Sequence, residues 1–152
     1  MPESTQQLKT LYDTDYNLWV LETVQKLESR DFDALDLENL IDEVLDLSRR
    51  DKRKLESLLT RLFEHLLKLA YWDSEIDENK NHWKREIRNF RKQINRELKA
   101  SPSLKNYLSD RLSELYQDAR ELVSDISGLP VSHFPPTAIA NLEQVLDENW
   151  FP

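Results

Sequence analysis

Apolar residues recur along this chain at steps of three and four, the spacing that gathers them on one side of an α-helix rather than on one face of a strand. Between about Asp13 and Arg30, the set Tyr12, Tyr16, Trp19, Val20, Val24 and Leu27 defines one side, predicted to face a core. Leu18 and Leu21 fall off it, so this helix is expected to touch two neighbours or to keep an apolar strip for a partner chain. A second helix is predicted from Asp36, with Leu37, Leu40, Ile41, Val44, Leu45 and Leu47 as a broad buried stripe and Asp42 and Asp46 towards water. A third, from Ser48 or Asp51 to Trp72, buries Leu55, Leu58, Leu59, Leu62, Leu66 and Leu69. "DSEIDENK" then reads as an acidic connection, and Trp83, Ile87, Phe90, Ile94 and Leu98 make the narrow seam of a fourth helix.

The fifth helix carries the clearest boundary signals: Ser101 and Pro102 as N-cap and first-turn proline, Gly128 at its end, Pro130 just beyond. Leucines from Leu104 to Leu122, with Ala119, Val123 and Ile126, repeat along it at helical spacing. Tyr107 and Tyr116 flank that stripe and need hydroxyl partners if buried, while Tyr116, Asp118 and Arg120 read as surface pairing. A shorter helix, about Thr137 to Leu146, precedes Trp150 and Phe151, which are expected to fold back and close the core rather than dock on another subunit. The fold class predicted is all-α, an antiparallel helical bundle of about five main helices plus a short C-terminal helix, in one domain over residues 1–152.

Composition sharpens this reading. Gly128 is the only glycine, and hairpin turns usually need residues that tolerate positive φ, so a β-rich fold is excluded. The longest apolar run is a few residues, which excludes a membrane-spanning helix. With no cysteine there is neither a disulfide nor a thiolate metal site, and "MPESTQQLKTLYD" lacks the basic start and apolar stretch of a secretory signal, so a cytoplasmic location is expected. The net charge of −8 opposes binding of the whole molecule to nucleic acid or an anionic membrane. Locally the balance reverses: from Lys80 to Lys99 there are eight basic residues and two acidic ones, with Lys84, Arg88, Arg91, Lys92, Arg96 and Lys99 on one side. Lys84, Arg88, Lys92 and Arg96 are weak candidates for a nucleic-acid contact. A simpler partner for that face is the stretch Asp31 to Leu47, with seven acidic residues and no basic one.

Candidate chemistry centres on His65, in "FEHLLKLAYW". On the helical wheel it sits at the rim of the apolar face, with Leu58 and Leu69 on one side and Arg61 and Lys68 on the other; those cations disfavour the imidazolium, so a neutral ring capping the core edge is expected. A metal site made of His65 with Glu43 or Glu38 requires tertiary approach, since His65, His82 and His133 lie on three elements and no Glu-x-x-His pair exists. The acidic "DSEIDENK" fails as a calcium loop, having Glu78 where glycine is needed and Lys84 where a bidentate glutamate is needed. No nucleophile elbow or glycine-rich phosphate cradle is present, and no cofactor is implied.

The order of "LYDTDYNLW", "LDLENLIDEV", "HLLK", Trp83 and Ile87, "SPSL", "SGLP" and "LEQVLDENWFP" resembles an uncharacterised bacterial family, abundant in cyanobacteria, known as domain of unknown function 29. The resemblance covers nearly the whole chain and implies an all-helical, bundle-like fold with no established activity, cofactor or partner. Departures from the family pattern are mild: Asp42-Glu43 stands at a paired-glutamate position, Ser127 where threonine is usual before the glycine, and the loop "DSEIDENK" is more acidic. The function expected is a helical protein-binding or regulatory module without catalytic activity, offering a face to another protein or to its own copy; the metal-assisted enzyme and the nucleic-acid contact are the alternatives.

Overall fold

The structure is a computed structural model describing residues 10–152, and the chain is all helical, with no strand among the described residues. The helices are α1 (Leu11–Thr14), α2 (Tyr16–Glu28), α3 (Leu37–Tyr71), α4 (Asp73–Ala100), α5 (Leu104–Ser127) and α6 (Leu142–Leu146), with single 3₁₀ turns at Phe32–Ala34 and Val131–His133. The all-α class holds, with four main helices, α2 to α5, in place of about five. The predicted second and third helices are one, because "SRRDKRK" between their stripes contains neither glycine nor proline and its long side chains favour helix. Ser48 and Asp51, expected to begin a third helix, are polar residues within a continuous one.

Other boundaries moved for local reasons. The first helix is divided at Asp15, whose carboxylate accepts the Leu18 N–H at 3.0 Å and so restarts the helix as a cap. The acidic "DSEIDENK" is no connection: Asp73 and Glu75 occupy the first turn of α4, where carboxylates meet the positive end of the helix dipole, and Trp72 alone separates α3 from α4. At the start of α5, Ser101 and Pro102 form turns that lead into the helix, with Leu104 N–H bonded to Ser101 O and Lys105 N–H to Pro102 O. Gly128 closes α5 with φ of 72°, the left-handed position expected of it. The terminal helix shrinks to five residues because Asn141 caps it, accepting the Gln144 N–H at 2.9 Å.

The described chain divides into two compact units after Ser48. The second, from Arg49, holds the large core: Leu55, Leu59, Leu62, Phe63, Leu66 and Leu67 of α3 with Ile87, Phe90 and Ile94 of α4 and Leu104, Leu108, Leu112 and Leu115 of α5, whose Leu122 is exposed. Its long helices run up, down and up. Lys54 meets Glu97, His65 meets Phe90, and Trp72 stacks on Trp83, so α4 runs against α3; Glu56 meets Tyr107 and Phe63 meets Tyr116, so α5 runs with α3. Tyr116 is fully buried rather than paired on the surface, and its hydroxyl donates to Pro135 O at 2.6 Å.

The C-terminal segment folds back onto this core, as expected of Trp150 and Phe151. Its anchor is Arg91, fully buried on α4, whose Nε donates to Val145 O and Nη2 to Trp150 O, both at 2.7 Å. The Phe151 ring lies against the Arg91 guanidinium and the Lys84 ammonium, each 5.2 Å from its centroid. Val145 lies in the last turn of α6, where carbonyls lack helical partners, so Arg91 satisfies an acceptor that burial would otherwise leave bare.

Candidate functional site

The first unit is built differently. Among its described residues only Trp19 and Thr23 are buried, Tyr12, Val20 and Leu40 are half-buried, and most of the apolar positions predicted to form a core lie in water. On α3, Leu37, Ile41 and Val44 are 59%, 51% and 58% exposed; on α2, Tyr16, Val24 and Leu27 are open too, which corrects the buried side assigned to them. Leu18 and Leu21, off that stripe, are also exposed. Eleven of the fourteen large apolar side chains found exposed lie between Tyr16 and Leu47. At about half exposure each, they leave on the order of 1,000 Å² of apolar surface in water, spread over α2, the 3₁₀ turn and the start of α3. Leu37, Leu40, Ile41, Val44 and Leu45 line a shallow, wholly apolar depression along α3.

What holds the hairpin is an aromatic cluster and one carboxylate. Tyr12 packs edge-on to Trp19 with centroids 4.8 Å apart, and Tyr16 stacks on Trp19 at 5.9 Å. Across from them Glu43 accepts the Tyr12 hydroxyl at 2.5 Å and the Tyr16 hydroxyl at 2.7 Å. The hydrogen bond to Glu43 pushes the Tyr12 phenol up to about 12, with lost hydration and the carboxylate's charge acting in the same direction. This clamp ties α1 and α2 to α3 through Glu43 and leaves the side bearing Ile41, Val44 and Leu45 open. The helical-period reading found both stripes and misassigned their burial, because periodicity reports an apolar face without reporting what covers it.

Charge divides between the units as well. From residue 10 to residue 48 there are eleven carboxylates against two cations, Lys26 and Arg30, whereas residues 49–152 carry eighteen basic and seventeen acidic side chains. The entire negative balance of the protein therefore sits with the open apolar surface.

Of the metal candidates, Glu38 and Glu43 belong to the first unit and His65 to the second. Glu43 is engaged by the two tyrosines. The His65 ring is half-buried, its Nδ1 lies 2.8 Å from Arg61 O, and the ring packs edge-on to Phe90 with centroids 5.1 Å apart. Burial pushes its pKa below the ordinary histidine value, with the bond to Arg61 O and Glu86 opposing and Lys68 and His82 assisting. Among the described residues no group of three His, Asp or Glu side chains is placed to hold a metal ion. His133 is exposed, its Nε2 2.8 Å from Tyr71 O.

On the basic helix, Arg88, Lys92 and Arg96 are exposed, Lys84 is drawn over Phe151, and Arg91 is removed from that face into the core. The sequence held the signal for Arg91, which stands four residues after Ile87 and three before Ile94, on the edge of the seam. Lys54 is paired with Glu97 at 2.7 Å, and Arg111 with Glu56 and Glu114.

Fold and surface together define an all-α helical protein with an uncovered apolar, acidic hairpin. The chain belongs to the family described as Domain of unknown function DUF29, whose model matches residues 11–151. Membership assigns no activity. No curated protein and no solved structure matches the chain. Among the described residues no helix is long and apolar enough to cross a membrane.

Proposed function

We propose that the protein is a helical protein-binding module whose docking surface is the open side of the first unit, the Leu37, Ile41, Val44 and Leu45 stripe of α3 with the exposed apolar residues of α2. The observation that carries this reading is that apolar positions at helical spacing, which normally mark a core, lie in water while Glu43, Tyr12, Tyr16 and Trp19 hold the hairpin without them. Apolar surface of this size left in water costs free energy that a partner helix recovers by covering it. A groove of leucine, isoleucine and valine on a helix receives the apolar face of another helix through anchors at spacings of three and four.

Site-specific photo-crosslinking tests this. A crosslinking residue at Ile41 is expected to yield discrete protein adducts in cells, while one at Asp125, exposed on α5 in the second unit, yields none. Equal adducts from both positions, or none from Ile41, would contradict the reading.

A further inference from the structure

We infer that the occupant of this surface is a basic amphipathic helix of another protein, rather than a second copy of this chain; the inference rests on the docking reading above. Charge decides between them. The hairpin carries eleven carboxylates and two cations, and Glu38 stands at the edge of the open stripe of α3, with no basic residue between Asp31 and Leu47. A symmetric dimer would set this surface against itself and bring two acidic hairpins together as water is excluded, where like charges weaken an interface and its encounter, and the basic α4 of a second copy offers cations but no apolar anchors, because Trp83, Ile87, Phe90 and Ile94 are buried. A helix with leucine-like anchors flanked by lysine or arginine meets both features at once: its apolar face covers Ile41, Val44 and Leu45 while its cations meet Glu38 and the acidic excess of the unit.

The exposed positions Leu37 to Leu47 extend over about 15 Å of helix, so a partner segment of about three turns matches them.

Isothermal titration of the full chain with three 14-residue amphipathic peptides separates the possibilities. All three share a leucine face; their polar faces are lysine, glutamine or glutamate. The lysine peptide is expected to bind at least about tenfold tighter than the glutamine peptide, to weaken as salt is raised, and to lose about tenfold or more on the Ile41→Ser/Val44→Ser variant. The glutamate peptide is expected not to bind. If lysine and glutamine peptides bind equally, the basic partner is wrong and the docking surface stands. If the peptides bind the variant as well as the parent, or none binds, the docking reading itself fails. Light scattering of the chain alone is expected to give a monomer; a dimer that dissociates in the Ile41→Ser/Val44→Ser variant would overturn the inference in favour of a second copy. The Ile41→Ser/Val44→Ser variant is expected to keep the parent's helical circular dichroism and melting temperature, so that its loss of peptide binding reads the surface and not the fold.

Discussion

Arg91 is held by two carbonyls rather than by a carboxylate. With both hydrogen bonds at 2.7 Å and the side chain fully buried, its guanidinium joins α4 to the carbonyls of Val145 and Trp150. Arg91→Met keeps much of the apolar stem and removes both donors, leaving buried acceptors bare, and is expected to cost about 2–4 kcal/mol in denaturant unfolding. A change within about 0.5 kcal/mol would mean that the tail is not anchored there. At Glu43, replacement by glutamine removes the charge that raises Tyr12. Ultraviolet titration is expected to show that phenol returning from about 12 towards 10, while Tyr116, also held near 12 but by burial, stays where it is. His65 supplies a pH test. Its folded pKa lies below the unfolded value of 6.5, so the unfolded chain takes up the proton first, and stability is lost as pH falls through 6.5 towards the folded value. The groups around the ring are Arg61 and Lys68 on α3 with His82 and Glu86 on α4, so the comparison must be differential: His65→Gln is expected to flatten the loss between pH 7.5 and 5.5. Equal slopes in parent and variant would contradict it.

At the scale of elements, the apolar stripes of α3 from Leu55 onward, of α4, and of α5 apart from the exposed Leu122 and Ile126 were legible because their residues are buried on one side of long helices, and spacing reports that directly. Gly128 was legible for the same kind of reason: one residue type suits the left-handed end of a helix. No heavy atom lies within 4 Å of a Cβ built there, so Gly128→Ala is expected to cost only the backbone term, about 1 kcal/mol, measured by the melting temperature. The join at residues 47–51 was misread because Ser48 and Asp51 are good caps in isolation, and nothing local says whether a polar stretch ends a helix or lies on its wet side. The burial of the α2 stripe was misjudged for a different reason. Core and docking surface have the same hydrophobic pattern, and only the tertiary arrangement, here the Glu43 clamp, tells them apart.

For the whole molecule, apolarity and charge are segregated together. The second unit has the buried core and near balance of charge; the first has the acidic excess and the open stripe. The most direct test is the stability of the Ile41→Ser/Val44→Ser variant by denaturant unfolding, because helix propensity changes little at these positions and the result depends on whether they pack. Open docking positions are expected to leave unfolding within about 0.5 kcal/mol per site of the parent. A loss of about 2–4 kcal/mol, as for buried aliphatic side chains, would show that the stripe is core and contradict the account.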